Sequence, residues 1–146
     1  MWEALNSEVI ARLPRQHLNG KANGTDSTKA SPQVGTWEEC LCDLERYRLY
    51  GEDWDGQGAA FGKPAKLIPG EIIDSAVALA RALQRHGVLA PHATCPGVRG
   101  TVALEWDLTA DRSVTLEVVE PTTVEMSFFS PGVGVEELVL TEPVLA

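Results

Sequence analysis

Four acidic residues are the first candidates for chemistry in this chain: Asp53 and Asp55 in the stretch GEDWDGQGAA, and Glu105 and Asp107 in LEWD. Carboxylates that converge in a cleft move protons or hold a divalent cation, and either role supports hydrolysis. The four meet only if the glycine-rich stretch folds over the segment carrying LEWD. Beside them stands no lysine of the kind nuclease sites use, and no G-x-x-x-x-G-K phosphate loop occurs in the chain. A calcium loop fits no better. Asp53 and Asp55 alternate and Gly58 falls at the sixth place, but the fifth is Gln57 and the twelfth, where a bidentate glutamate belongs, is Pro64.

Cys40, Cys42, His92 and Cys95 are the residues from which a zinc site would be built. Residues two apart on a helix point about 200° away from each other, so Cys40 and Cys42 converge on one ion only at a helix end. Free thiols are the expectation, and no metal or cofactor is assigned. His17, His86 and His92 are scattered, and no Ser-His-Asp or Cys-His order stands out.

The elements that would position these groups change character at Gly87. Residues 2–13 place Trp2, Leu5, Val9 and Leu13 on one helical face, and Pro14 ends that run. Residues 14–35 are rich in Gly, Asn, Ser, Thr and Pro and read as a flexible linker, which leaves 36–146 as a single domain. Thr36 and Glu39 form a capping box, followed by an apolar stripe of Trp37, Cys40, Leu41, Leu44 and Tyr47, with Gly51 as the expected stop. A second helix is expected over 71–86, its alanine-rich face suited to lying on a sheet. After Gly87 the period becomes two. Runs at 100–107, 112–120 and 122–130 alternate, with 89–95 and 134–140 as possible outer strands. The fold class is α+β: two helices on one face of a three- to five-stranded antiparallel meander, plus a short N-terminal helix on a linker.

Parity then assigns the second face. If the helices cover Val102, Leu104, Trp106, Leu116, Val118, Met126 and Phe128, the opposite side carries Glu105, Glu117, Glu125 and Phe129 among threonines and serine. The chain has 12 basic residues against 21 acidic, a net charge of −9, so direct nucleic-acid binding through phosphates is not expected and a basic protein partner is. There is no apolar run of membrane-spanning length and no secretory leader pattern. With three cysteines, an odd and sparse set, this places the expectation in the cytoplasm.

For the GEDWDGQGAA stretch the structural reading outranks the chemical ones. Gly56 and Gly58 are expected at positive φ, Asp55 accepts backbone N–H groups, and Trp54 packs in the core with its indole N–H on a carbonyl. Trp54, Asp55, Gly56, Gly58 and Ala59, then a helix, then Gly100, Leu104, Glu105 and Trp106 make this chain resemble a group of small bacterial proteins of no established function. These carry a W-D-G-x-G-A motif, a helix and a G-x-x-x-L-E-W strand. The resemblance spans about residues 36–130. It implies the same α+β layout and a bacterial cytosolic setting, with no reaction attached.

The function expected from these readings is a non-enzymatic protein-binding module, an accessory or antitoxin-like component of a bacterial operon. It would bind through the acidic sheet face of Glu105, Glu117, Glu125 and Phe129, through the N-terminal segment, or both. Two alternatives stand beside it. One is an acidic inhibitor of a nucleic-acid-binding enzyme, and the other a small metal-dependent hydrolase using Asp53, Asp55, Glu105 and Asp107.

Overall fold

The structure is a computed structural model and describes residues 2, 7–15, 35–109 and 111–141. The expected linker over 14–35 therefore lies almost wholly outside the described residues, as does Leu5. Helix α1 (Ser7–Ala11) stops before the expected end at Leu13. Trp2 cannot belong to it, because its φ of +60° is left-handed. Trp2, Val9, Ile10 and Leu13 are nevertheless buried. The Trp2 indole N–H donates to Ser75 Oγ at 3.0 Å. Pro14 and Arg15 are also held: Leu89 N–H donates to Pro14 O at 2.8 Å, and Arg15 Nη2 donates to His86 O at 2.7 Å.

Helix α2 (Trp37–Arg46) starts where its sequence dictates. The Thr36 hydroxyl accepts the Glu39 N–H at 3.1 Å, and Glu38 and Glu39 sit at the positive end of the helix dipole. Gly51 does not end it. The chain tightens at Tyr47–Leu49 into a 3₁₀ turn, a frequent ending for an α-helix. That turn points Tyr47 inward, with its hydroxyl 2.6 Å from Thr94 Oγ1. It also sets Arg48 between Glu45 and Asp74, at 2.6 Å from each. After the short helix α3 (Gly58–Phe61), helix α4 (Gly70–Arg85) lays Ile72, Ile73, Ala76, Leu79, Ala80 and Leu83 into the core, and Gly87 closes it with φ +78°.

Five strands follow: β1 (Ala93–Gly97), β2 (Thr101–Thr109), β3 (Arg112–Glu120), β4 (Thr123–Ser130) and β5 (Gly134–Thr141). They form one antiparallel sheet in the order β1-β2-β3-β4-β5. Val102, Leu104, Trp106, Val114, Leu116, Val118, Val124 and Met126 are buried on one face, with α2 and α4 in the same core. Two indoles fix the segment between α4 and β1: Trp37 Nε1 donates to Val88 O at 3.0 Å and Trp106 Nε1 to Leu89 O at 2.8 Å. Burying a side chain such as Leu104 or Leu116 contributes about 1.5–3 kcal/mol. That is why the parity of these strands is not negotiable. Among the described residues no helix is long and apolar enough to cross a membrane.

Candidate functional site

Strand register places the open-face side chains in rows. One row runs Ala93, Glu105, Thr115, Ser127, Glu137; the next runs Cys95, Ala103, Glu117, Glu125, Val139. Residues directly opposite share a face, with strands about 4.8 Å apart and rows about 6.8 Å apart. The two rows hold four glutamates and no lysine or arginine. A third row ends in Phe129 and Val135, which pair across β4 and β5. Phe129, Val135 and Val139 are exposed, so an apolar corner borders the acidic rows.

Glu117 and Glu125 are direct cross-strand partners. Like charges in that relation oppose pairing. Glu117 Oε2 accepts the Thr101 hydroxyl at 2.5 Å, which holds this carboxylate half-buried, while Glu125 projects to solvent. The field of the face registers on Cys95. Its thiol is pushed up from its ordinary value by partial desolvation first, then by the carboxylates of Glu105 and Glu117. A thiol held protonated in this way is a poor nucleophile. Of these residues, Glu105, Glu117, Glu125 and Phe129 were legible from parity. Glu137, Val135 and Val139 were not, although Leu138 and Leu140, two apart and half-buried on the inner face, carry the signal that assigns them.

The residues first considered for catalysis have other duties. Asp53 Oδ1 accepts the Gly58 N–H at 2.8 Å, its own N–H donates to Ala65 O at 2.7 Å, and its O accepts the Gly56 N–H at 2.9 Å. It does so from φ +57°, a conformation that aspartate tolerates better than most residues. Asp55 accepts the Gln57 N–H at 3.2 Å. Asp107 lies 3.4 Å from His92 Nε2 on the β2–β1 side of the sheet. The His92 Nδ1 is buried and has no protein partner. Among the described residues no three of His, Cys, Asp and Glu are gathered as a metal would require. The zinc candidates are likewise spread: Cys40 is buried in the core while Cys42 and Cys95 are exposed, all as free thiols.

Three expectations for the glycine-rich elbow need correction. Gly56 has the positive φ expected of it, at +68°, but Gly58 does not. Gly58 opens α3, and a Cβ there would lie 2.8 Å from Asp53 Oδ1 and 3.0 Å from Pro64 Cα, so it is close approach that requires glycine. The principal acceptor of the turn is Asp53 rather than Asp55. Trp54 is only half-buried. Its indole N–H does reach a carbonyl, Lys66 O at 3.0 Å, but the ring stacks on Tyr50, with centroids 5.3 Å apart, outside the sheet core.

No known protein family, curated protein or solved structure matches the chain.

Proposed function

We propose that the chain is a non-enzymatic protein-binding module that takes a basic protein surface on its open sheet face. The observation that carries this is the pair Glu117 and Glu125, set directly opposite each other between Glu105 and Glu137 with no cation in either row. A solvated sheet face needs no such arrangement, and threonine or oppositely charged pairs at the same positions hold strands together better. Approach of lysine or arginine side chains relieves the repulsion and steers the encounter. Phe129, Val135 and Val139 supply the apolar contact that charge alone does not. The resemblance of the W-D-G-x-G-A and L-E-W segments to small bacterial proteins supports placing the module in a bacterial cytosolic setting, as an accessory or antitoxin-like component.

The test is the triple reversal Glu105→Lys, Glu117→Lys, Glu125→Lys in the full chain, with folding checked by circular dichroism. The partner recovered from source cells by the unaltered chain should bind the variant at least about tenfold more weakly, chiefly through a slower on-rate. Unchanged affinity removes the proposal. The same carboxylate rows favour one special case, a nucleic-acid-binding enzyme as the partner. Its complex with the module would dissociate when DNA or RNA fills its basic groove, whereas another basic partner would stay bound.

A further inference from the structure

The two edges of the sheet are built differently. At one edge β1 is five residues long, Pro96 offers no N–H, and the adjoining turn is covered where Lys66 N–H donates to Val98 O at 2.8 Å. At the other edge β5 runs in unbroken register with β4 from Ser130↔Gly134 to Thr123↔Thr141, whereas the β2–β3 and β3–β4 ladders each contain a shift. In an antiparallel ladder every second residue turns its N–H and C=O away from its neighbour. Among the described residues nothing hydrogen-bonds to the outer side of β5. The strand has no proline, lysine or bulge to blunt it, and Val135 and Val139 are 60% and 65% exposed.

From this geometry we infer that β5 is a docking edge for a basic extended segment of a partner protein, which adds to the sheet as a sixth, antiparallel strand. The inference rests on the acidic-face reading above and says how the partner engages it. The order Val135, Glu136, Glu137, Leu138, Val139, Leu140 states the chemistry of the occupant. Opposite it, a strand meets apolar with aliphatic residues and the acids with two consecutive basic residues: the one on the open face takes Glu137, and the one on the other face shares Glu136 with Arg12, which already lies 4.0 Å from that carboxylate. Backbone bonds supply affinity and these side chains supply selection. A second copy of this chain fits worse. Centred pairing of two β5 strands puts Glu136 and Glu137 of both chains on the middle of one seam, in a protein of net charge −9.

The experiment titrates the ¹⁵N-labelled full chain with a capped octapeptide, Thr-Val-Val-Val-Lys-Lys-Val-Thr. Two controls accompany it: the same peptide with glutamates for lysines, and the same peptide with its valine nitrogens methylated. The lysine peptide is expected to bind and slow amide exchange in β5 but not in β1, and both controls are expected to bind at least about tenfold more weakly. In the protein, Glu137→Lys should weaken the lysine peptide by about tenfold, while Val98→Lys, at the opposite edge, should leave it within about twofold. Equal binding of the methylated peptide overturns strand addition yet leaves the acidic face as the binding surface. Failure of the lysine peptide to bind, or equal binding of the glutamate peptide, overturns the inference outright. Loss of partner binding in the triple reversal, measured separately, tests the underlying reading whichever way the peptides fall.

Discussion

Replacing Glu125 with lysine should make the protein more stable, although no contact in the core changes. Glu125 is exposed and stands directly across from half-buried Glu117. Two unit charges about 6 Å apart interact by about 0.7 kcal/mol at the dielectric constant of water, and screening at physiological ionic strength reduces this by about half. Glu125→Lys turns a repulsion into an attraction of similar size, so the change is about twice the single term. It amounts to about 1.4 kcal/mol in dilute buffer and about 0.7 kcal/mol at 0.15 M salt. At this chain length the second figure corresponds to a rise in Tm of about 2 °C. Glu125→Gln, which only removes the repulsion, should give about half as much. Thermal unfolding of the three proteins in dilute buffer, at 0.15 M and at 1 M sodium chloride checks both size and origin. A fall in Tm for Glu125→Lys, or a rise that 1 M salt does not diminish, would refute the electrostatic account of the open face.

Ser75 is buried between Trp2 Nε1–H, which it accepts at 3.0 Å, and Pro121 O, to which it donates at 2.6 Å. Ser75→Ala deprives both of this partner and should cost about 2 kcal/mol in urea unfolding, a loss below about 0.5 kcal/mol contradicting the relay. Gly58→Ala forces a Cβ against Asp53 Oδ1 and the backbone of Pro64, for a cost of about 1–3 kcal/mol by the same assay. A neutral result would show that α3 can shift to make room. The Cys40 thiol is pushed up to about 12, by burial first and by Asp43 second. The folded chain therefore keeps this proton above pH 9, where the unfolded chain loses it. Its contribution is complete below pH 9 and declines as pH rises toward 12, by up to about 1.4 kcal/mol per pH unit. Cys40→Ala should flatten that slope in unfolding measured between pH 9 and 10.5, and an unchanged slope would assign it elsewhere. Burial also raises the Tyr47 hydroxyl, so part of the slope at the upper end remains in the variant.

What could be read from the sequence divides along a physical line. Strands β2, β3 and β4 have one dry face and one wet face, so their alternation assigned Leu104, Leu116 and Met126 inward and Glu105, Glu117 and Glu125 outward, as the structure has them. Strand β5 has no fully buried side chain, and its two adjacent glutamates fall on opposite faces, so period two gave no answer there. Close approaches are equally silent. Nothing in DWDGQG says that Gly58 lacks a side chain because Pro64, six residues later, lies against it. Nor does the sequence show that Asp53, at a left-handed φ, carries the turn in preference to Asp55. The His92–Asp107 contact joins the residue just before β1 to one on β2, and the β1–β2 register that brings them together is not local in sequence. The pairing of Trp2 with Ser75 spans 73 positions, and local periodicity, which read Trp2 as part of a helix, points away from it.

The two faces of the sheet thus obey different constraints within the same strands. On the inner face Val118 opposes Val124 and Leu116 opposes Met126, and a change of size or polarity there costs packing directly. On the outer face Glu117, which accepts the Thr101 hydroxyl, opposes exposed Glu125, and a lysine or threonine in place of Glu125 would serve the sheet better. Stability alone therefore explains the first set and argues against the second. A sheet needing only to be wetted would tolerate Thr–Thr or Glu–Lys at the outer positions, as it tolerates Thr115 opposite Ser127 one row away. Under the proposed function, a bound partner supplies cations to these carboxylates. If so, Glu125→Lys should trade binding for stability, gaining the second in the step that loses the first.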